Sequence, residues 1–186
     1  MERNKTNSEI DADFFDDEDE EDTLEGKFLI FAIEDRRYGI PIRYVNEIIG
    51  IQQIAEVPDM PYFVKGVINL RGKIIPVIDA RLRFHLSTQD YNEKTCTIII
   101  SLTGETYIGL IVDIVKEVIQ ISENQIEPTP TFGEYKEERF IESIAKVKDN
   151  INILLNINKI LKEEEKLTMH ASMDKKEYQT DIGENL

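Results

Sequence analysis

Side chains that can move protons, attack carbon or hold a metal are few in this chain. Its histidines are His85 and His170, and its single cysteine is Cys96. A Ser-His-Asp or Cys-His arrangement would depend on His85, because His170 falls in a polar terminal stretch. Cys96 lies inside an apolar run, where core packing is its expected role. Asp79, Asp113 and Glu47 are candidates for an acid–base carboxylate pair, yet nothing in their spacing brings any two together. No C-x-x-C, H-E-x-x-H or glycine-rich phosphate loop occurs. The acidic run DDEDEED at 16–22 lacks the turn glycine and the closing glutamate of a calcium loop. The expectation is a protein without catalytic activity, cofactor or metal.

The remaining charged candidates crowd around one greasy strand. Residues 69–84 read NLRGKIIPVIDARLRF, with Arg71, Asp79, Arg81 and Arg83 flanking Ile74, Ile75, Val77 and Ile78. Arg71 precedes Gly72, which can take a positive φ and tighten a reversal. A guanidinium at such a tip is rigidly presented and can make paired hydrogen bonds to a carboxylate. The alternatives are a plain turn residue, or a structural salt bridge to a neighbour such as Asp79. Arg81 and Arg83 alternate with Leu82 and Phe84. An extended backbone would send the leucine and phenylalanine inward and the arginines outward, to brace the segment against acidic neighbours. Pro76 cannot donate a ladder hydrogen bond, so its strand is expected at a sheet edge or at a bulge.

The elements that must position these groups are short and extended. Residues 28–33, a polar turn at 34–37 and residues 38–40 have the composition of a hairpin. Pro41 opens a short helical turn, with Ile42 and Val45 on one side, before an extended stretch at 47–51. Residues 58–61 read as a loop, 67–70 as a strand and 73–78 as its return. Residues 95–102 and 106–112 flank Thr103-Gly104-Glu105, a second hairpin signal, and 115–121 continues as a strand. Ile151, Ile153, Leu155 and Ile157 recur with a period of two, and Asn158 is placed to cap a short terminal helix. Many short strands with little helix indicate an all-β chain of small barrels or a sandwich.

Length and charge narrow the field further. The 186 residues suffice for one domain, or two small units sharing a core, and 41% hydrophobic content fits a globular protein. Residues 1–26 hold 12 Asp and Glu against Arg3 and Lys5, or −10 of the formal −15. This segment reads as a disordered acidic tail, and residues 163–186 as a polar C-terminal one. Such a balance disfavours nucleic acid as a partner. No run approaches a bilayer span, the N-terminus is not that of a signal peptide, and one cysteine suits a reducing compartment. A cytoplasmic protein with no direct membrane insertion is expected.

Taken in order, several stretches resemble the CheW family of bacterial chemotaxis coupling proteins, over residues 27–162. They are YGIPIRYVNEII at 38–49, VPDMPYFVKGVINLRGKIIPVIDARLRF at 57–84, IGLIVDIVKEV at 108–118, QIEP at 125–128 and INILLNINKIL at 151–161. Ser143 stands where the family has glycine, and Ala80 where it has leucine. The resemblance implies two five-stranded β-barrels over a shared hydrophobic core, with short helical turns and a short C-terminal helix. It also implies an adaptor that joins the cytoplasmic tips of methyl-accepting chemoreceptors to the regulatory domain of the histidine kinase CheA, at membrane-associated arrays. By residue-by-residue match it implies receptor binding through Arg71, Val45, Glu47, Lys65 and Gly66. Each keeps a plainer reading: Val45 as core, Glu47 as a solvated strand residue, Gly66 as a backbone requirement. A docking module similar to CheV, or an adaptor of a non-motility chemosensory pathway, is the alternative. The stretch after Leu161 is expected to be too short for a receiver domain, so the CheV-like reading needs a further partner segment.

Overall fold

The computed structural model describes residues 24–102, 106–128, 140–162 and 165–166. The acidic N-terminal tail except for 24–26, the 103–105 hairpin tip and most of the polar C-terminal segment lie outside them. The chain opens with the hairpin β1 (Lys27–Ile33) and β2 (Arg36–Pro41), and a 3-10 turn at Ile42–Tyr44 leads into β3 (Val45–Gly50). A second hairpin, β4 (Val64–Leu70) and β5 (Lys73–Asp79), runs directly into one helical turn, α1 (Ala80–Arg83). There follow β6 (Cys96–Ser101), β7 (Tyr107–Val112), β8 (Ile114–Gln120), β9 (Ile126–Pro128), β10 (Ile141–Val147) and β11 (Asn150–Leu155). The architecture is all-β, as expected.

The strands divide into two sheets. One has six strands in the order β8-β1-β2-β11-β10-β9; the other has five, in the order β3-β6-β7-β5-β4. Two-residue turns fix the hairpin registers. Leu70 pairs with Lys73, and both Arg71 and Gly72 have positive φ, 52° and 85°. That is the turn whose twist matches its flanking strands. Among the described residues neither sheet closes into a continuous ladder. In the five-stranded sheet, however, Ala55 pairs with Val67 through reciprocal hydrogen bonds of 2.8 and 2.9 Å. The chain just past β3 thus reaches β4, the opposite edge strand.

Alternation along the strands builds three apolar clusters. Ile68, Ile75, Val77, Ile99 and Ile111 fill the five-stranded half. Ile121, Ala145 and Leu154 fill the six-stranded one. The largest cluster takes Leu29, Phe31, Ile33, Tyr38 and Ile40 from one sheet and Ile78, Ile98, Ile100, Ile108 and Leu110 from the other. It is the shared core the family resemblance implied.

Four local expectations need correction. Arg81 and Arg83 do not point outward: both are buried, at 7% and 4% exposure, because the chain turns helical at Ala80 and loses its period of two. Pro76 lies in an internal strand, between β4 and β7. It is tolerated because the ladder to β7 begins only at Val77 and the adjoining β4 is bulged between Val64 and Gly66. Ile151 is 62% exposed while Asn152 is fully buried, so β11 does not bury one alternating face. The terminal cap is Asn156, whose side chain accepts from the Asn158 N–H, and the element it caps is a 3-10 turn, Ile157–Lys159.

Candidate partner-binding site

At the tip of the β4–β5 hairpin the Asn69 side chain accepts a 2.8 Å hydrogen bond from the Gly72 N–H and locks the turn. Arg71 then extends back to Glu47 on β3, donating from Nη1 to Oε1 at 2.8 Å and from Nη2 to Oε2 at 2.7 Å. The Arg71 side chain stays 75% exposed while that of Glu47 is 21% exposed. A pair this open contributes only about 0–1 kcal/mol to stability. Its effect is orientational, because a forked contact fixes the guanidinium plane. Asp79, the other partner considered for Arg71, is buried and already engaged. It accepts from the Arg81 N–H at 2.8 Å, the Leu82 N–H at 3.4 Å and the Tyr91 hydroxyl at 2.8 Å.

The other residues singled out from the sequence fall into different surroundings. Val45, at the start of β3, is partly buried and packs on the shared core. Lys65 is exposed at the β4 bulge. Gly66 is buried with φ +139°, and a Cβ there would meet the Ala55 carbonyl oxygen at 2.2 Å. Its geometry therefore answers first to the backbone bridge between Ala55 and Val67. Arg71 and Glu47 are brought together; Val45 and Lys65 occupy the same two edge strands.

Two residues, one on an edge strand of each sheet, were missed from sequence. Ile48 pairs with Ile98 and Val118 with Leu29, both members of the shared core, and cross-strand partners lie on one face. Ile48 and Val118 therefore sit on the core-facing sides of β3 and β8, the edge strands of the two sheets. They nonetheless remain 44% and 51% exposed. The doubled isoleucine at 48–49 carried the signal, since a strand can send only one of two neighbours into its barrel.

A second charged constellation joins the halves. Arg81 donates from Nε and Nη2 to the two oxygens of Asp113, at 2.8 and 2.6 Å. Its other contacts are Gln89 Oε1 at 2.5 Å, the Ser87 carbonyl at 3.1 Å and Glu34 Oε1 at 3.5 Å. Asp113 also accepts from the Glu34 N–H at 2.8 Å. Burial pushes the Asp113 carboxyl up, but the Arg81 and Glu34 hydrogen bonds and the Arg81 charge outweigh it and leave the group below its ordinary range. Burial, reinforced by the bond to Asp79, raises the Tyr91 hydroxyl. These groups border a polar cleft of about 240 Å³ with Lys94 and Lys116. The constellation braces the fold, as the sequence suggested for Arg81.

The nucleophile candidates are separated by their contacts. His85 Nδ1 lies 2.8 Å from the Tyr62 hydroxyl. Burial raises the Cys96 thiol, only partly offset by the Val115 N–H, which disfavours a reactive thiolate. Among the described residues no group of three His, Cys, Asp or Glu side chains could hold a metal ion. The arrangement at Arg71 and Glu47 is suited to recognition.

Comparison with known proteins bears on the fold and the family. The profile of the CheW-like domain matches residues 27–165. The chain is 35% identical to the chemotaxis protein CheW of Klebsiella aerogenes over 144 residues, covering 77% of this chain and 86% of that protein. It is 32% identical to the CheW of Bacillus subtilis over 138 residues, 74% of this chain and 88% of the other. The crystal structure of the scaffolding protein TtCheW from Thermoanaerobacter tengcongensis superposes with a TM-score of 0.68 at 37% identity, over 75% of this chain and 94% of that one. With its two sheets, shared core and matching length, the chain belongs to the CheW-like family of chemotaxis scaffold proteins.

Proposed function

We propose that this protein is a non-catalytic coupling scaffold, which binds chemoreceptor cytoplasmic tips on one surface and the regulatory domain of the kinase CheA on another. It works in the cytoplasm, at membrane-associated receptor arrays that it reaches through these partners. The observation that carries the receptor surface is an exposed guanidinium held in plane by Glu47, on an edge strand whose other face leaves Ile48 half open. A fixed charge and an open apolar side chain on one edge strand are features of a protein-docking edge. Arg71 would anchor the tip, with Glu47 setting its orientation and Val45 and Lys65 flanking it on the same edge strands. Gly66 would contribute by holding the edge closed. Coupling requires only that the bound scaffold favour one kinase state over the other by a small differential affinity.

Reconstitution tests this reading. The purified chain, a receptor tip fragment and the kinase regulatory domain are expected to form a ternary complex on size-exclusion chromatography, with no turnover of ester, phosphate or glycoside panels by the chain alone. Binding of neither partner, or measurable turnover, defeats it.

A further inference from the structure

The two arginines of α1 make an internal contrast. Arg81 directs all five of its N–H groups at protein acceptors, with a carboxylate at the centre. Arg83, two residues on and equally buried, makes a single hydrogen bond among the described residues, from Nε to the Ile160 carbonyl at 2.6 Å. Its guanidinium carbon lies 5.0 Å from the ring centroids of both Phe63 and Phe140. Two aromatic faces and one carbonyl hold the cation but supply no negative charge, and a buried charge without a counter-ion is costly. The one fully enclosed side-chain polar atom without a partner among the described residues is Asn152 Nδ2. The terminal nitrogens of Arg83 have no acceptor among the described residues, and the residue keeps 4% of its surface exposed.

The surroundings indicate what approaches them. Tyr62, 60% exposed, packs edge-on against Phe63 and bonds to His85, which is also exposed. His85 closes α1 in the left-handed conformation, φ 58°, while the Leu86 N–H reaches the Arg81 carbonyl at 2.8 Å. The helix end therefore sets Arg83 and His85 in fixed relation. We propose that Arg83 is a carboxylate-recognition subsite, filled by an aspartate or glutamate side chain of a docked protein, with Tyr62 and His85 as its aromatic rim. A carboxylate offers two coplanar oxygens to the two terminal nitrogens left open, a match that neither water nor a carbonyl reproduces. Tyr62 packs on Phe63, whose ring in turn covers the Arg83 guanidinium, and tyrosine and arginine are residues that anchor interfaces. The subsite is separate from the Arg71 surface and does not depend on the scaffold reading.

The test is a titration of the full-length ¹⁵N-labelled chain, read at the Arg83 Nε–Hε resonance, with ionic strength held constant by sodium chloride. The probes are acetyl-aspartate amide and its uncharged analogue, acetyl-asparagine amide. The aspartate probe is expected to give a saturable shift at Arg83, larger than at the exposed Arg43, and the asparagine probe none. In Arg83→Lys the same titration, read at the His85 and Leu86 backbone amides in both proteins, should weaken on the order of tenfold by losing the paired geometry. Equal shifts from both probes, or no shift at Arg83 beyond that of Arg43, overturn the proposal. Should the lysine variant not fold, the titration of the unaltered protein still decides. Failure here would leave ternary-complex formation unaffected.

Discussion

Arg71 and Glu47 stand 24 residues apart in the chain, one in the turn that ends the edge strand β4 and the other on the opposite edge strand β3, yet two parallel hydrogen bonds of 2.8 and 2.7 Å join them. The pair fastens the rolled sheet at the same point where it presents a cation to solvent. Those two roles can be separated. Arg71→Glu sets two carboxylates together and is expected to weaken receptor-tip binding at least about tenfold, while stability changes by only about 1 kcal/mol. Glu47→Arg combined with Arg71→Glu restores the ion pair with its ends reversed. Restored stability without restored binding, by matched calorimetric titrations and thermal melts, is the expected result. Recovery of both would show that the pair matters and its polarity does not.

The edge isoleucine makes a different prediction. Threonine keeps the strand preference of a β-branched residue while removing apolar surface. Ile48→Thr is expected to cost about 1 kcal/mol in denaturant unfolding and to weaken receptor-tip binding about tenfold. An unchanged affinity would remove Ile48 from the docking surface.

Glycines 66 and 72 should respond unequally to alanine. At Gly66 the new methyl meets the Ala55 carbonyl, whereas at Gly72 nothing lies within 4 Å and only the positive φ opposes it. Gly72→Ala is expected to cost about 1 kcal/mol. Gly66→Ala should cost roughly 3 kcal/mol and accelerate hydrogen exchange at the Ala55 and Val67 amides. Equal costs would mean that the bridge is not what requires Gly66.

Asp113 links the fold to pH. Its carboxyl is held below the ordinary value in the folded protein, so the unfolded chain takes up its proton first as pH falls. The stabilisation is complete above the unfolded pKa, about 4, and is lost as pH falls through the lower folded value. Asp113→Asn is expected to lower stability at pH 7 by about 3 kcal/mol, leaving Arg81 buried without its carboxylate, and to flatten the acid limb of the stability curve. Chemical denaturation between pH 7 and 3 measures both. A parallel downward shift at every pH would assign the acid sensitivity to other groups.

Hairpins were legible in the sequence because their turns are local. Arg71-Gly72 specifies its own geometry, and the apolar runs on either side follow. The Arg71–Glu47 contact was not, since it depends on how far a five-stranded sheet rolls. The outward placement of Arg81 and Arg83 failed for a readable reason. Asp79 caps α1, accepting from the N–H groups of Arg81 and Leu82, and a capping aspartate signals a change of period from two to helical. Asn152 escaped because its Oδ1 is claimed by Arg37 Nε, at 2.9 Å, on a strand 115 residues earlier. Family resemblance supplied the two-part architecture, and the clusters of buried side chains supply its physical basis.

The strand orders also govern the sequence of events at the ribosome. The five-stranded sheet draws on the contiguous stretch 45–112, whereas the six-stranded one joins β1 and β2 to strands that begin at Ile114. At typical synthesis rates the first hairpin emerges on the order of ten seconds before its partners. Through that interval Leu29, Phe31, Ile33 and Ile40 have no complete sheet to bury them. The nascent chain is most open to misassociation in its first hairpin, and release of the last strand, β11, is the event that ends the exposure.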